Sequence, residues 1–158
     1  MKRARVGIIA AAIFAVASVA FAQKPDFSGT WTLDPEASGA PAGGGGGGGG
    51  RGGGALGNGP AVVKQTADTL TIERTMGDNK VTLTYKLDGT ESKNTMMGRG
   101  GTPMESVSTA KFDGTKLVIT TKAGENESTQ TWSLAGSVLT VESTGGRGPS
   151  KRVYKKTT

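Results

Sequence analysis

The chain has 158 residues, a formal net charge of +6, 27 glycines, and neither cysteine nor histidine. Those two absences remove the thiol nucleophile, the common general base and the usual soft metal ligands. The carboxylates fall mostly in turns or beside lysines, as on a solvated surface, so we expect no enzyme, no metal and no cofactor.

The first segment reads as a targeting signal. Lys2, Arg3 and Arg5 are basic, Val6 to Val19 is apolar and uncharged, and Ala20-Phe21-Ala22 offers a small-x-small cleavage site. The apolar stretch is short for a bilayer span. We therefore expect a secretory signal peptide over 1–22 and export to the periplasm or the extracellular space. The mature chain would carry no transmembrane segment. Removing 22 of the 158 residues leaves 136, enough for one domain over 23–158. The net charge drops from +6 to +3 with Lys2, Arg3 and Arg5, which takes away the basis for a nucleic-acid partner.

From Phe27 to Asp34 the sequence alternates, with Phe27, Gly29, Trp31 and Leu33 on one face, and predicts a first strand. Pro35 to Ser38 then turn the chain into 39–60, where every residue from Gly43 to Gly54 except Arg51 is glycine. So few apolar side chains predict a flexible, unpacked loop. Beyond Pro60, runs rich in Thr, Val, Leu and Ile predict strands at 61–66, 70–75, 81–87, 91–97, 104–112, 116–122, 127–134, 138–144 and 150–155. Asp88-Gly89, Asp113-Gly114 and Ala135-Gly136 mark turns between them.

A shift of 47 residues lays Leu70, Ile72, Gly77, Asn79, Thr82, Thr84, Leu87 and Gly89 on identical residues, from Leu117 to Gly136. Equal strand and turn lengths imply equal registers, which suits an up-and-down antiparallel β-barrel of about ten strands. Counting strands puts tight turns at one end. The glycine run and the connections at 76–80, 98–103, 123–126 and 145–149 fall at the other, together with Arg51, Arg99 and Arg147.

Phe27-x-Gly29-Thr30-Trp31-x-Leu33 resembles the opening strand of the calycins, which include the lipocalins and fatty-acid-binding proteins and carry a Gly-x-Trp signature there. Arg152-Val153-Tyr154 resembles the last strand of the fatty-acid-binding proteins, where an Arg-x-Tyr pair faces the lumen. The resemblance implies a lipocalin-like barrel. Its first two strands would be joined by a helix-turn-helix lid in the fatty-acid-binding proteins, and here the glycine run takes that place.

Gly29 would let chain segments approach closely, and Trp31 would plug the base of the barrel, with Arg152 able to stack on it. Arg152 and Tyr154, two residues apart, share a face and could bind a carboxylate together. Ser106, Ser108, Ser128 and Gln130 are candidates for the same interior. The expected function is an exported, non-enzymatic binding protein for a small amphipathic or hydrophobic ligand. The alternative is a structural or interaction β-domain of the cell envelope with no ligand cavity.

Three further readings fail on the residues. The glycine run lacks the strand, helix and Gly-Lys-Ser/Thr ending of a phosphate loop. Arg-Gly-Gly at Arg51 and Arg99 fits solvated loops better than a nucleic-acid tail. Of eight aromatic residues, Phe14 and Phe21 lie in the leader, too few remaining for the girdles of an outer-membrane barrel.

Overall fold

The computed structural model describes residues 23–38, 54–97, 102–145 and 148–157. The proposed leader, residues 39–53 and the three arginines Arg51, Arg99 and Arg147 lie outside them. Among the described residues there are ten strands and no helix: β1 (Gly29–Asp34), β2 (Ala61–Gln65), β3 (Thr69–Met76), β4 (Asn79–Lys86), β5 (Asp88–Met97), β6 (Pro103–Asp113), β7 (Lys116–Ala123), β8 (Asn126–Ala135), β9 (Val138–Gly145) and β10 (Ser150–Thr157). All ten expected strands are present. Most run a residue or two further than the side-chain alternation, because the backbone ladder continues into polar residues beside the turns.

The strands form one antiparallel sheet in the order β4-β3-β2-β1-β10-β9-β8-β7-β6-β5. The two ends of the chain meet in it, since β1 pairs with β10 from Thr30↔Thr157 to Asp34↔Val153. The repeat is real in the register as well. Leu70 faces Tyr85 in the β3/β4 hairpin and Leu117 faces Trp132 in β7/β8, each pair displaced by the same 47 residues.

Closure is completed by side chains rather than by a tenth ladder. Between β4 and β5, the Asn94 side chain accepts from the Thr84 backbone N–H at 2.8 Å and donates to the Thr84 carbonyl at 3.0 Å. Ser92 Oγ accepts from the Lys86 N–H at 2.8 Å. Asn94 and Ser92 are both buried. Two inward polar residues thus satisfy backbone groups that an edge strand would leave open.

Inward positions follow the period of two. Trp31, Val63, Leu70, Ile72, Leu83, Tyr85, Leu117, Ile119, Trp132, Leu139 and Tyr154 are buried in one core. The closed end is sealed by the residues before β1. Phe27 is fully buried, packs edge-on against Trp132 with ring centroids 5.7 Å apart, and accepts a 2.8 Å hydrogen bond from Trp31 Nε1 on its carbonyl. Gln65 ties this segment down, accepting from the Phe27 N–H and donating to the Pro25 carbonyl, both at 3.0 Å.

The cation over Trp31 is Lys156, with Nζ 5.7 Å from the ring, and not Arg152. Register explains this correction. Trp31 sits opposite Lys156, whereas Arg152 lies four residues away, roughly 13 Å along the strand. Gly29 has φ +143°, and a side chain there would collide with the stem of Lys156. Glycine at this position therefore admits a lysine side chain to the base.

The opposite end, the mouth, is less uniformly loose than strand counting suggested. The β3/β4 and β7/β8 connections narrow to the two-residue turns Gly77-Asp78 and Gly124-Glu125. The expectation of an unpacked segment through residue 60 also fails at its end. Gly54 to Leu56 form a turn, and Ala55 and Leu56 are 3% and 2% exposed. A single buried leucine offers apolar area worth about 2 kcal/mol, enough to hold a short segment that glycine alone would leave solvated.

Candidate functional site at the barrel mouth

Arg152 and Tyr154 do share the inner face of β10. The Tyr154 ring is fully buried, and its hydroxyl donates to the Gly57 carbonyl at 2.9 Å. Arg152, beyond the end of β1, is half-exposed at the rim and donates from Nη1 to Asn58 Oδ1 at 2.6 Å. Gln130 lies on the same side, its Oε1 accepting from Trp132 Nε1 at 3.3 Å and from the Ala55 N–H at 3.4 Å. Arg152, Tyr154 and Gln130 therefore converge on one short segment, 54–58.

Ser106 and Ser108 are buried on a different part of the wall. Ser106 Oγ donates to the Asn94 carbonyl at 3.2 Å, and Ser108 shares a 2.8 Å hydrogen bond with Thr121. Their hydroxyls are engaged within the sheet, Ser106 across β5/β6 and Ser108 across β6/β7. Ser128 is half-buried opposite Gly145, whose missing side chain leaves it room. Gly29 and Trp31 belong to the closed end, away from the mouth.

Sequence reading missed Arg74. It continues the inward series Leu70, Ile72, Arg74 on β3, opposite the buried residues Ala61 and Val81. That alternation was the available signal, since an arginine in an inward slot must find a partner or an opening. Its Nη1 reaches the Gly54 carbonyl at 3.4 Å, while its buried Nε has no hydrogen-bond partner among the described residues. Gly57, at φ +72°, passes so close to this guanidinium that any side chain there would collide with Arg74 Nη1.

The electrostatics follow from burial. Desolvation pushes the Tyr85 and Tyr154 hydroxyls above the ordinary phenol range, and for Tyr154 the neighbouring Arg152 and Arg74 partly oppose it. Burial also lowers the pKa of Arg74, but an arginine keeps its charge in a protein. No carboxylate among the described strand residues shares the inner face. Glu73, Glu105, Glu127 and Glu142 point outward, and the Lys64–Glu73, Lys93–Glu105 and Lys155–Asp34 ion pairs decorate the outer wall. Among the described residues, the hydrogen-bond acceptors that meet Arg74, Arg152 and Tyr154 are thus neutral oxygens.

Two depressions of about 430 Å³ each lie on the outer wall. One is bounded by Thr129, Thr131, Glu142 and Lys151, the other by Thr84, Lys86, Glu91 and Lys93. Both are open to solvent, and neither adjoins Arg74 or Tyr154. Among the described residues no cluster of acidic side chains could hold a metal, and no helix is long and apolar enough to cross a membrane.

No protein-family model matches the sequence, and a comparison with curated proteins gives no match. Solved structures do match. Secretory abundant heat soluble protein 4 from Ramazzottius varieornatus superposes with a TM-score of 0.53 at 18% identity, over 83% of this chain and 94% of that one. The fold is a lipocalin- and calycin-like barrel. The REP1-NXSQ fatty acid transporter gives 0.52 at 17% identity, over 63% and 70% of the two chains. Fatty-acid-binding protein 1 of Echinococcus granulosus gives 0.53 at 12%, over 63% and 71%. At these identities the likeness carries the architecture, and the residues at the mouth carry the chemistry.

Proposed function

We propose that the protein is an exported, soluble, non-enzymatic carrier of a small amphipathic molecule with one acidic head group. The tail would lie among the inward apolar residues and the head at Arg152 and Tyr154. The observation that carries this reading is the one-sided chemistry of the mouth, where two arginines and a buried tyrosine meet no inward carboxylate. A ligand carboxylate would supply what is missing, in short charge-assisted hydrogen bonds. Two fold neighbours named for fatty-acid transport or binding agree with a lipid-like ligand. Export rests on the leader sequence, and the mature product recovered from outside the cytoplasm should begin at Gln23.

A second reading, a structural or interaction domain with a filled lumen, is favoured by the burial of Ala55 and Leu56 in the core. Titration of the purified protein with a panel of fatty acids and the matching alcohols, read through Trp31 and Trp132 fluorescence, separates the two. The carrier reading expects saturable binding of the acids, weakened about tenfold by Arg152→Ala while the alcohols are spared. Absence of any saturable response would favour the filled barrel.

A further inference from the structure

The contacts that hold residues 54–58 have the form of a ligand site already in use. Along five consecutive residues, the Gly54 carbonyl takes a hydrogen bond from Arg74, the Ala55 N–H gives one to Gln130, and the Leu56 side chain is buried in the core. The Gly57 carbonyl then accepts from Tyr154 and Asn58 Oδ1 from Arg152. Three oxygens thus face three head-group donors, with the Ala55 and Leu56 side chains inside. Yet the fit is incomplete. A neutral carbonyl at 3.4 Å is a weak partner for a guanidinium, and Arg74 Nε has none among the described residues. A carboxylate offers two charged oxygens to that planar fork, so it would outcompete the carbonyl at this position.

We infer that Gly54–Asn58 is a built-in surrogate for the ligand, and that Arg74 is a head-group-binding residue which exchanges the Gly54 carbonyl for the ligand's anionic head. This rests on the carrier reading and adds a selectivity to it. A ligand must replace Leu56 as well as the two carbonyls, so it needs an apolar tail and an anion together. A short acid lacks the tail and an alcohol lacks the charge. The released Gly54 and Gly57 carbonyls lie at the mouth, where water can take over their hydrogen bonds. Because the occupied segment must leave first, the observed affinity is the intrinsic one reduced by the fraction of molecules already open.

Binding of dodecanoate, dodecanol and acetate to the mature protein and to two variants tests this. Leu56→Gly, which removes the buried part of the surrogate, should bind dodecanoate about tenfold more tightly. Arg74→Gln should lose about tenfold for dodecanoate and change little for dodecanol, and acetate should compete poorly with either. In the unsubstituted protein, dodecanoate should speed hydrogen exchange at the Ala55 amide as it is freed from Gln130. Equal affinity in Leu56→Gly and wild type, or slower exchange at Ala55 on binding, would overturn the surrogate while leaving the carrier reading standing. Absence of dodecanoate binding to both wild type and Leu56→Gly would overturn both.

Discussion

The Tyr154 hydroxyl donates to the Gly57 carbonyl at 2.9 Å, joining the last strand to the connection between the first two across 97 residues of sequence. Tyr154→Phe leaves that carbonyl without its donor and should cost about 1–2 kcal/mol in urea unfolding.

The same burial makes a prediction about alkaline pH. Tyr85 and Tyr154 are the two tyrosines of the chain, and both have raised folded-state pKa values, mainly from desolvation. The unfolded chain would ionise them near pH ~10, so above that pH the unfolded state is favoured. Their contribution to stability is complete below the unfolded value and is lost as pH rises through the folded one. Tyrosinate absorbance should therefore appear together with unfolding and not before it. A simple titration of one phenol near pH ~10 in the folded protein would contradict the burial.

Asp34 closes the other side of the β1/β10 seam. It accepts from Lys155 Nζ at 2.7 Å and from the Ala37 N–H at 3.2 Å, and these bonds hold its carboxyl below the usual range, Lys155 first. A lowered folded-state pKa stabilises above the unfolded value and loses that contribution as pH falls through the folded one. Urea midpoints of wild type and Asp34→Asn should differ near neutrality and converge as the pH falls through the lowered folded-state pKa. A gap that persists at low pH would place the effect of the substitution elsewhere.

Asn94 stands where the backbone ladder stops. Asn94→Ala would leave the Thr84 N–H and carbonyl unpaired in a partly buried junction, at about 1–3 kcal/mol. Hydrogen exchange should speed at Thr84 and at Lys86, with little change at the β1/β10 seam. Asn94→Asp keeps the acceptor for the N–H but sets an anion against the Thr84 carbonyl, so it should rescue only in part. Uniform acceleration across all ten strands would mean that this junction is not a separate point of closure.

Much of the fold was legible because strands of period two, punctuated by glycine turns, leave few alternatives. The Leu70 to Gly89 repeat implied equal registers in its two hairpins, and the terminal motifs implied a lipocalin-like barrel. What escaped had a different physical basis. Alternation says which face a residue takes but not which neighbour supplies its hydrogen bonds, so the side-chain bridge of Ser92 and Asn94 was not visible. Leu56, one apolar residue after a run of glycine, carries no periodicity at all. Arg74 did continue a readable pattern, and charge alone argued against reading it inward. Arg152 and Tyr154 were legible as a pair, whereas their partners Gly57 and Asn58 depend on how a glycine-rich connection enters the barrel.

The most direct test is where a bound amphipathic acid sits. Intermolecular NOEs between dodecanoate and the protein should link the tail to Leu117, Ile119 and Trp132, and the methylene next to the carboxylate to Tyr154. NOEs confined to Thr129, Thr131 and the outer wall, or none at saturating ligand, would contradict binding in the lumen.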